Sequence, residues 1–198
     1  MRIGIAGRPK PGESVSGDDY FCGEVGDGFL VCLIDGIGHG EEGHDASRRL
    51  VRFLQENKEA DLDELLRRSH EELHGTRGAV VGLALIRENE GSIRYAGVGN
   101  ITAVVVETDG QEESAPSRHL ISIGGIVGYN LRKVKQFECP YQGGDALVMY
   151  TDGISSRFSA SHYFGEDRDP QEIAEAILRE QGKDNDDALV LIVERPKD

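Results

Sequence analysis

The stretch LVCLIDGIGHG at residues 30–40 joins an apolar run to a carboxylate and a glycine-rich turn. Five apolar residues, 30–34, lead directly into Asp35 and Gly36, and His39 lies in the turn that follows. A short apolar run bounded by turn residues is typical of a fully buried strand. A carboxylate at the end of such a strand is costly to bury unless its charge is compensated. Asp35 therefore needs a partner, which a helix N-terminus, a basic side chain or a metal ion would provide.

A β-hairpin is predicted around the first half of this stretch. Residues 20–25 and 29–34 are apolar runs on either side of Gly26-Asp27-Gly28, and a short Asp-Gly connector between such runs is a strong hairpin signal. Two antiparallel strands of equal length place Asp18-Asp19, before the first strand, beside Asp35, after the second.

Helical spacing of apolar residues predicts helices over residues 41–56 and 62–73. Asp169-Pro170-Gln171-Glu172 combines an N-cap, a proline at the first helical position and an acidic residue three positions after the cap. This combination predicts a third helix.

The other apolar runs predict strands. With the hairpin, these strands are residues 2–6, 20–25, 29–34, 79–87, 92–97, 101–107, 119–123, 133–139, 146–151 and 188–193, with an exposed loop at 111–118. Helices do not alternate with strands as a doubly wound sheet requires. We therefore expect a single domain over residues 1–198 with an α+β fold, a central antiparallel β-sandwich flanked by helices in α-β-β-α layers.

Charge and composition exclude several classes of partner. The 36 acidic residues outnumber the 22 basic ones, giving a formal net charge of −14. Nucleic acids and anionic membranes bind basic patches, so we expect neither as a partner. No apolar run reaches the roughly 18–20 residues of a membrane-spanning helix, and the N-terminus shows no signal peptide. A cytoplasmic location is expected.

Acidic residues stand at the ends of four predicted strands: Asp18-Asp19, Asp35, Asp152 and Asp186-Asp187. If these ends share one edge of the fold, the carboxylates converge, repel one another and raise one another's pKa. Mg²⁺ and Mn²⁺ bind oxygen ligands of this kind. A glycine at position 36 would let its backbone carbonyl approach such an ion closely.

Four motifs occur in order along the chain: Ser16-Gly17-Asp18, the Asp35 to Gly40 stretch, Thr151-Asp152-Gly153 and Asp186-Asp187. This ordered set resembles the metal-dependent type 2C serine/threonine protein phosphatases, above all their bacterial sporulation and stress-response branch. The short chain is similar to the small feedback phosphatases of the stressosome pathway, the RsbX type. The resemblance implies hydrolysis of phosphoserine or phosphothreonine by a metal-activated water, with Mn²⁺ or Mg²⁺ bound as a pair of ions.

The resemblance also implies a role for each matched residue. Asp35 corresponds to the carboxylate that bridges two metal ions, and Gly36 corresponds to the residue whose carbonyl binds the first ion. Asp152 and Asp186 correspond to carboxylate ligands of the second ion. Asp18 corresponds to an early acidic residue that acts on the metal or its bound water, so Asp18, Asp35 and Asp152 are the expected catalytic residues.

Some positions depart from the family pattern. Ile37 stands where many relatives have His, so His39 is expected to stabilise the turn or support the metal ligands. Asp187 is likewise expected to support the ligands without binding metal. The larger enzymes hold phosphate with an Arg near the first acidic motif; here Arg8 or Lys10 would serve only if their connector folds inward, and phosphate recognition stays unassigned.

Phosphorylated STAS-domain proteins of the stressosome are the substrates that the resemblance implies, and their dephosphorylation would reset a stress-signalling pathway. Residues 155–169, which follow Asp152, are a candidate contact for such a partner, with an ordinary surface loop as the alternative. Two other functions remain open. One is a non-catalytic partner-binding module with the same fold, and the other is a metal hydrolase of small phosphoesters.

Overall fold

The computed structural model describes residues 1–38, 40–57, 61–107, 116–165 and 168–197. Its three α-helices are α1 (Glu41–Glu56), α2 (Leu62–Glu72) and α3 (Pro170–Gln181). Its strands are β1 (Arg2–Arg8), β2 (Asp18–Val25), β3 (Gly28–Gly36), β4 (Ala79–Arg87), β5 (Ser92–Val98), β6 (Thr102–Val106), β7 (Ser117–Leu120), β8 (Ser122–Ile123), β9 (Phe137–Pro140), β10 (Ala146–Tyr150) and β11 (Ala188–Glu194). A 3₁₀ turn, Ala160–Tyr163, precedes α3.

Two sheets form the centre of the fold. The first has the order β1-β11-β10-β6-β7 and the second the order β2-β3-β4-β5-β8, with β9 also paired to β5. The pairs are antiparallel except β5 with β8. In the hairpin, Asp18 on β2 lies directly opposite Asp35 on β3, as the connector length predicts.

Three apolar layers hold the two sheets and the helices together. The middle layer, with Leu33, Tyr95 and Leu191, lies between the sheets. Helices α1 and α2 cover the second sheet through fully buried residues such as Leu50 and Leu65. Helix α3 covers the first sheet. Each fully buried leucine contributes about 1.5–3 kcal/mol relative to exposure. The predicted α-β-β-α sandwich is confirmed.

Two of the predicted strands differ in the structure. Residues 131–136 are irregular, and the strand begins only at Phe137. Leu131 and Val134 are three positions apart in the chain, and both pack against the apolar layer beneath α2. A strand would point these two side chains to opposite faces, because its side chains alternate. The predicted strand at 119–123 is two strands, because residues 117–120 pair with β6 in one sheet and residues 122–123 pair with β5 in the other.

The predicted loop at 111–118 falls partly outside the described residues, and its last two residues belong to β7. Of the helices in the described part of the chain, none combines the length and apolar character that crossing a membrane requires.

Candidate metal centre

Both sheets contribute acidic residues to one edge of the sandwich. Asp18 and Asp35 come from the β2–β3 hairpin as direct partners. Asp152 follows β10, and Asp186-Asp187 precede β11, the antiparallel neighbour of β10. Asp19, the next residue on β2, instead forms an ion pair at 3.8 Å with Arg48 on α1, because successive side chains of a strand point to opposite faces.

Thr151 joins the two sheets at this edge. Its hydroxyl donates to Asp18 Oδ2 at 2.7 Å and accepts from the backbone N–H of Leu189 at 3.0 Å. The side chain is 1% exposed, so the hydroxyl's hydrogen bonds are shielded from water. Thr151 belongs to one of the four sequence motifs, but no role for it is evident from the sequence alone. In the structure it fixes the orientation of the Asp18 carboxylate.

Asp187 holds the connector between β1 and β2. Its two carboxylate oxygens accept hydrogen bonds from the backbone N–H groups of Lys10, at 2.8 Å, and Gly17, at 3.0 Å. Gly17 in turn accepts a hydrogen bond at its carbonyl from the Gly36 N–H at 3.1 Å. Both oxygens of the buried Asp187 therefore position backbone, and the connector does fold inward over the site.

Gly36 lies where no side chain fits. A Cβ atom there would come within 2.1 Å of the backbone oxygen of Gly43 in α1, far inside van der Waals contact. The Gly36 carbonyl oxygen lies 3.2 Å from the position that a Cβ atom on Gly17 would occupy. The start of α1 thus packs directly on the end of β3, which requires glycine at position 36.

Asp152 is exposed at the mouth of the site and is oriented by neutral and basic groups. Asn100, in the turn between β5 and β6, donates from Nδ2 to Asp152 Oδ2 at 2.8 Å. Lys183 Nζ donates to the backbone carbonyl of Asp152 at 2.5 Å. Asn100 and Lys183 are not among the site residues predicted from the sequence. Nothing in their local sequence distinguishes them from ordinary turn residues.

Arg8 supports the segment that carries Asp186. Its guanidinium donates to the backbone carbonyls of Lys183 and Asp186, the latter at 3.5 Å. The Asp186 carboxylate accepts the backbone N–H of Asp187 at 3.0 Å. Arg8 is therefore bound to loop carbonyls. His39, the remaining predicted site residue, lies outside the described residues.

The site concentrates negative charge. Burial, followed by repulsion from Asp152, Asp186 and Asp187, raises the pKa of Asp35 from 3.8 to about 7. Burial and repulsion from Asp35 also raise the pKa of Asp18 well above its usual value, although the Thr151 hydrogen bond opposes the change. Within the described ranges no basic side chain forms an ion pair with Asp18 or Asp35.

The donor set matches a hard divalent cation. In the described part of the chain, no three His, Cys, Asp or Glu side chains already form a ready-made metal site. The available groups are carboxylates and a backbone carbonyl, the ligands that Mg²⁺ and Mn²⁺ prefer. Asp18 and Asp35 are partly buried and lack basic ion-pair partners among the described residues, so their charges are costly unless such an ion compensates them. The residues present therefore fit a metal.

Residues 26–196 match the family described as Stage II sporulation protein E, SpoIIE. The chain belongs to the SpoIIE family. The phosphoserine phosphatase RsbX of Bacillus subtilis (strain 168) is 24% identical over 154 residues, which cover 77% of this chain and 74% of RsbX. Stage II sporulation protein E of the same strain is 26% identical over 219 aligned positions, 98% of this chain and 25% of that protein. The chain thus spans about a quarter of the sporulation protein.

Solved structures share the fold. A chain described under "The bacterial stressosome: a modular system that has been adapted to control secondary messenger signaling" has a TM-score of 0.87 at 27% identity, covering 96% of this chain and 97% of that one. RsbX in complex with magnesium gives 0.82 at 19% identity, with coverage of 97% and 94%. The PP2C phosphatase domain of SpoIIE from Bacillus subtilis gives 0.80 at 23% identity, with coverage of 100% and 64%.

These relationships confirm the family and the fold that the sequence predicts. The chain is a PP2C-type serine phosphatase related to RsbX. PP2C phosphatases depend on metal, and the solved RsbX structure contains magnesium.

Proposed function

We propose that this SpoIIE-family phosphatase uses Mn²⁺ or Mg²⁺, bound as a pair of ions, to hydrolyse phosphoserine or phosphothreonine on stressosome-type regulatory proteins. The observation that carries the proposal is that both sheets bring Asp18, Asp35 and Asp152 to one edge. Among the described residues, no basic side chain pairs with the partly buried Asp18 or Asp35. Residues 1–198 are proposed to act as a single phosphatase domain, since one central apolar layer joins both sheets.

Asp35 and the Gly36 carbonyl are proposed to hold one ion, and Asp35, Asp152 and Asp186 the other. Asp18 is proposed to act on the metal or on the attacking water. Divalent cations at such a site supply Lewis acidity and lower the pKa of bound water.

The chain's own residues keep these ligands in place. Thr151 orients Asp18, and Asn100 orients Asp152. The proposed supporting role of Asp187 rests on its hydrogen bonds to the connector that lies against Gly36. Ligands held by such neighbours require little reorganisation when an ion binds.

A thiol nucleophile is the competing route to phosphate release, and the cysteines oppose it. Burial raises the pKa of Cys22 to about 12, and burial also raises the pKa of Cys32 and Cys139. A reactive cysteine needs a lowered pKa, because the thiolate is the nucleophile. These three thiols remain protonated at neutral pH.

The deciding experiment measures phosphate release from a phosphorylated STAS-domain protein with Mn²⁺, and again after chelation. We expect the wild type to be active only with metal and Asp35→Asn and Asp152→Asn to lose at least about a hundredfold in kcat. Asp45→Asn, an exposed carboxylate on α1, is the matched control and should keep full activity.

Four outcomes contradict the proposal. Activity that survives chelation shows that hydrolysis does not need a metal ion. Full activity of a folded Asp35→Asn variant shows that Asp35 is not a required ligand. A wild type that binds the phosphoprotein but releases no phosphate supports a binding module instead. Release from p-nitrophenyl phosphate alone supports a hydrolase of small phosphoesters.

A further inference from the structure

A concave site lies between residues 156–163, which follow Asp152 in the chain, and the C-terminal end of α3. We call it the α3 pocket. Its volume is about 740 Å³, within the range of sites that bind small ligands or peptide side chains. Its wall includes Arg157, Phe158, His162, Tyr163, Arg168 and Glu180. None of these residues belongs to the proposed metal centre.

The pocket has an aromatic floor that is already in place. The Phe158 ring lies 5.5 Å from the ring of Tyr150 and 5.6 Å from that of Tyr163, measured between centroids. The Tyr163 hydroxyl donates to Glu180 Oε2 at 3.0 Å and accepts from Gln181 Nε2 at 2.9 Å. Rings packed and hydrogen-bonded in this way need little rearrangement to receive a ligand.

The pocket wall is more basic than the chain as a whole. Arg157 is exposed, and no acidic side chain among the described residues pairs with it. Arg168 donates to the Tyr163 carbonyl at 3.0 Å, which holds its guanidinium at the pocket. Glu180, the acidic group of the wall, already contacts Arg179 and the Tyr163 hydroxyl. In a chain of net charge −14, these cations mark a local site for a negative group.

A short, rigid segment connects the pocket to the metal centre. Backbone hydrogen bonds join Ser155 N–H to the Gln181 carbonyl and Lys183 N–H to the Gly153 carbonyl, both at 2.8 Å. Ser156, the first wall residue, lies four positions after Asp152, so the backbone between them spans at most about 14 Å. If the phosphorylated residue of an extended peptide lies at Asp152, the residue about three to five positions away from it along the peptide therefore reaches the pocket.

We infer that the α3 pocket binds an Asp or Glu side chain located three to five residues from the phosphorylated Ser or Thr of the protein substrate. The inference rests on the proposed phosphatase function. Arg157 supplies the attraction and the bidentate geometry, since guanidinium pairs with carboxylate through two parallel hydrogen bonds. The Phe158 and Tyr163 rings pack against the apolar part of the bound segment. The pocket thus determines which phosphoproteins are preferred, and the metal centre performs the hydrolysis.

The test uses sets of phosphoserine peptides. Within a set, the peptides differ only in one residue, which is Glu, Ala or Lys. This residue lies three, four or five positions before or after the phosphoserine. For wild type, the best-placed Glu peptide is expected to have a KM about three- to tenfold below that of its Ala counterpart, with similar kcat. Arg157→Glu should abolish this preference and favour the Lys peptide, and Arg157→Lys should retain most of it. Arg132→Glu, an exposed arginine beside α2, should leave the preference unchanged.

Hydrolysis of p-nitrophenyl phosphate, which has no flanking residues, should be the same for wild type and Arg157→Glu. The inference is overturned if Glu, Ala and Lys peptides have equal KM values in wild type, or if Arg157→Glu alters all three equally. If the wild type shows no metal-dependent hydrolysis of any substrate, the proposed function is overturned instead. The two failures are therefore distinguishable.

Discussion

Replacing Asp35 with Asn should stabilise the metal-free protein while disabling the metal-loaded one. Asparagine has nearly the same shape but carries no charge. In the metal-free fold, Asp35 lies opposite Asp18, is mostly buried, and is repelled by Asp152, Asp186 and Asp187. The substitution removes that repulsion and the cost of burying a charge.

The pKa of Asp35 sets the size and the pH range of the effect. The folded protein keeps the Asp35 proton up to about pH 7, whereas the unfolded chain loses it near pH 3.8. The folded state therefore binds more protons across this window, and the free energy of unfolding of the metal-free wild type falls as pH rises through it. At 1.36 kcal/mol per pKa unit, the difference corresponds to roughly 4 kcal/mol above pH 7.

Relaxation of neighbouring carboxylates and water access reduce this figure, so we expect Asp35→Asn to gain about 1–3 kcal/mol at pH 8. For a chain of this length each kcal/mol raises Tm by about 2–4 °C. The gain should become small near pH 4 and vanish only well below pH 3.8, where Asp35 is protonated in both states.

Urea unfolding with EDTA, from pH 4 to 8, measures the effect, and Asp45→Asn serves as the control that should not change it. Adding Mn²⁺ should reverse the order, because only the wild type gains stability by binding the ion strongly. The reasoning is refuted if Asp35→Asn is less stable than wild type in EDTA at pH 8, or if its stability has the wild-type pH dependence.

Three further predictions follow from hydrogen bonds and close contacts. Thr151→Val should lower the free energy of unfolding by about 1–2 kcal/mol and lower kcat, because the hydroxyl that orients Asp18 is lost. Thr151→Ser, which keeps a hydroxyl, should retain kcat. An unchanged kcat in folded Thr151→Val would contradict this. Gly36→Ala should cost more than about 3 kcal/mol by urea unfolding, because its Cβ meets the α1 backbone, whereas Gly124→Ala, in open space, should be nearly neutral. His70 accepts a backbone N–H at Nδ1, and its pKa is lowered from 6.5, first by burial, so its contribution to stability should be lost progressively as pH falls below 6.5. His70→Gln should flatten the dependence of Tm on pH in this range, and an unchanged slope would disprove this role.

The sequence by itself determined the local elements and one side of the site. The Gly26-Asp27-Gly28 connector and the lengths of the flanking runs place Asp18 opposite Asp35, because hairpin register depends on local turn geometry. The amphipathic spacing of the three helices likewise implies a covering layer on each sheet, and the sandwich class follows from the order of elements.

Only the tertiary structure decided how the two sheets meet. Thr151 lies 133 residues from Asp18 along the chain, and Asp187 lies 170 residues from Gly17, yet both pairs form hydrogen bonds. The same limit explains the error at residues 119–123, where apolar pattern alone does not show that the chain crosses from one sheet to the other. Local periodicity records which face of an element is buried. It does not record which distant element covers that face, and the support of the Asp18 and Asp35 carboxylates depends on that pairing.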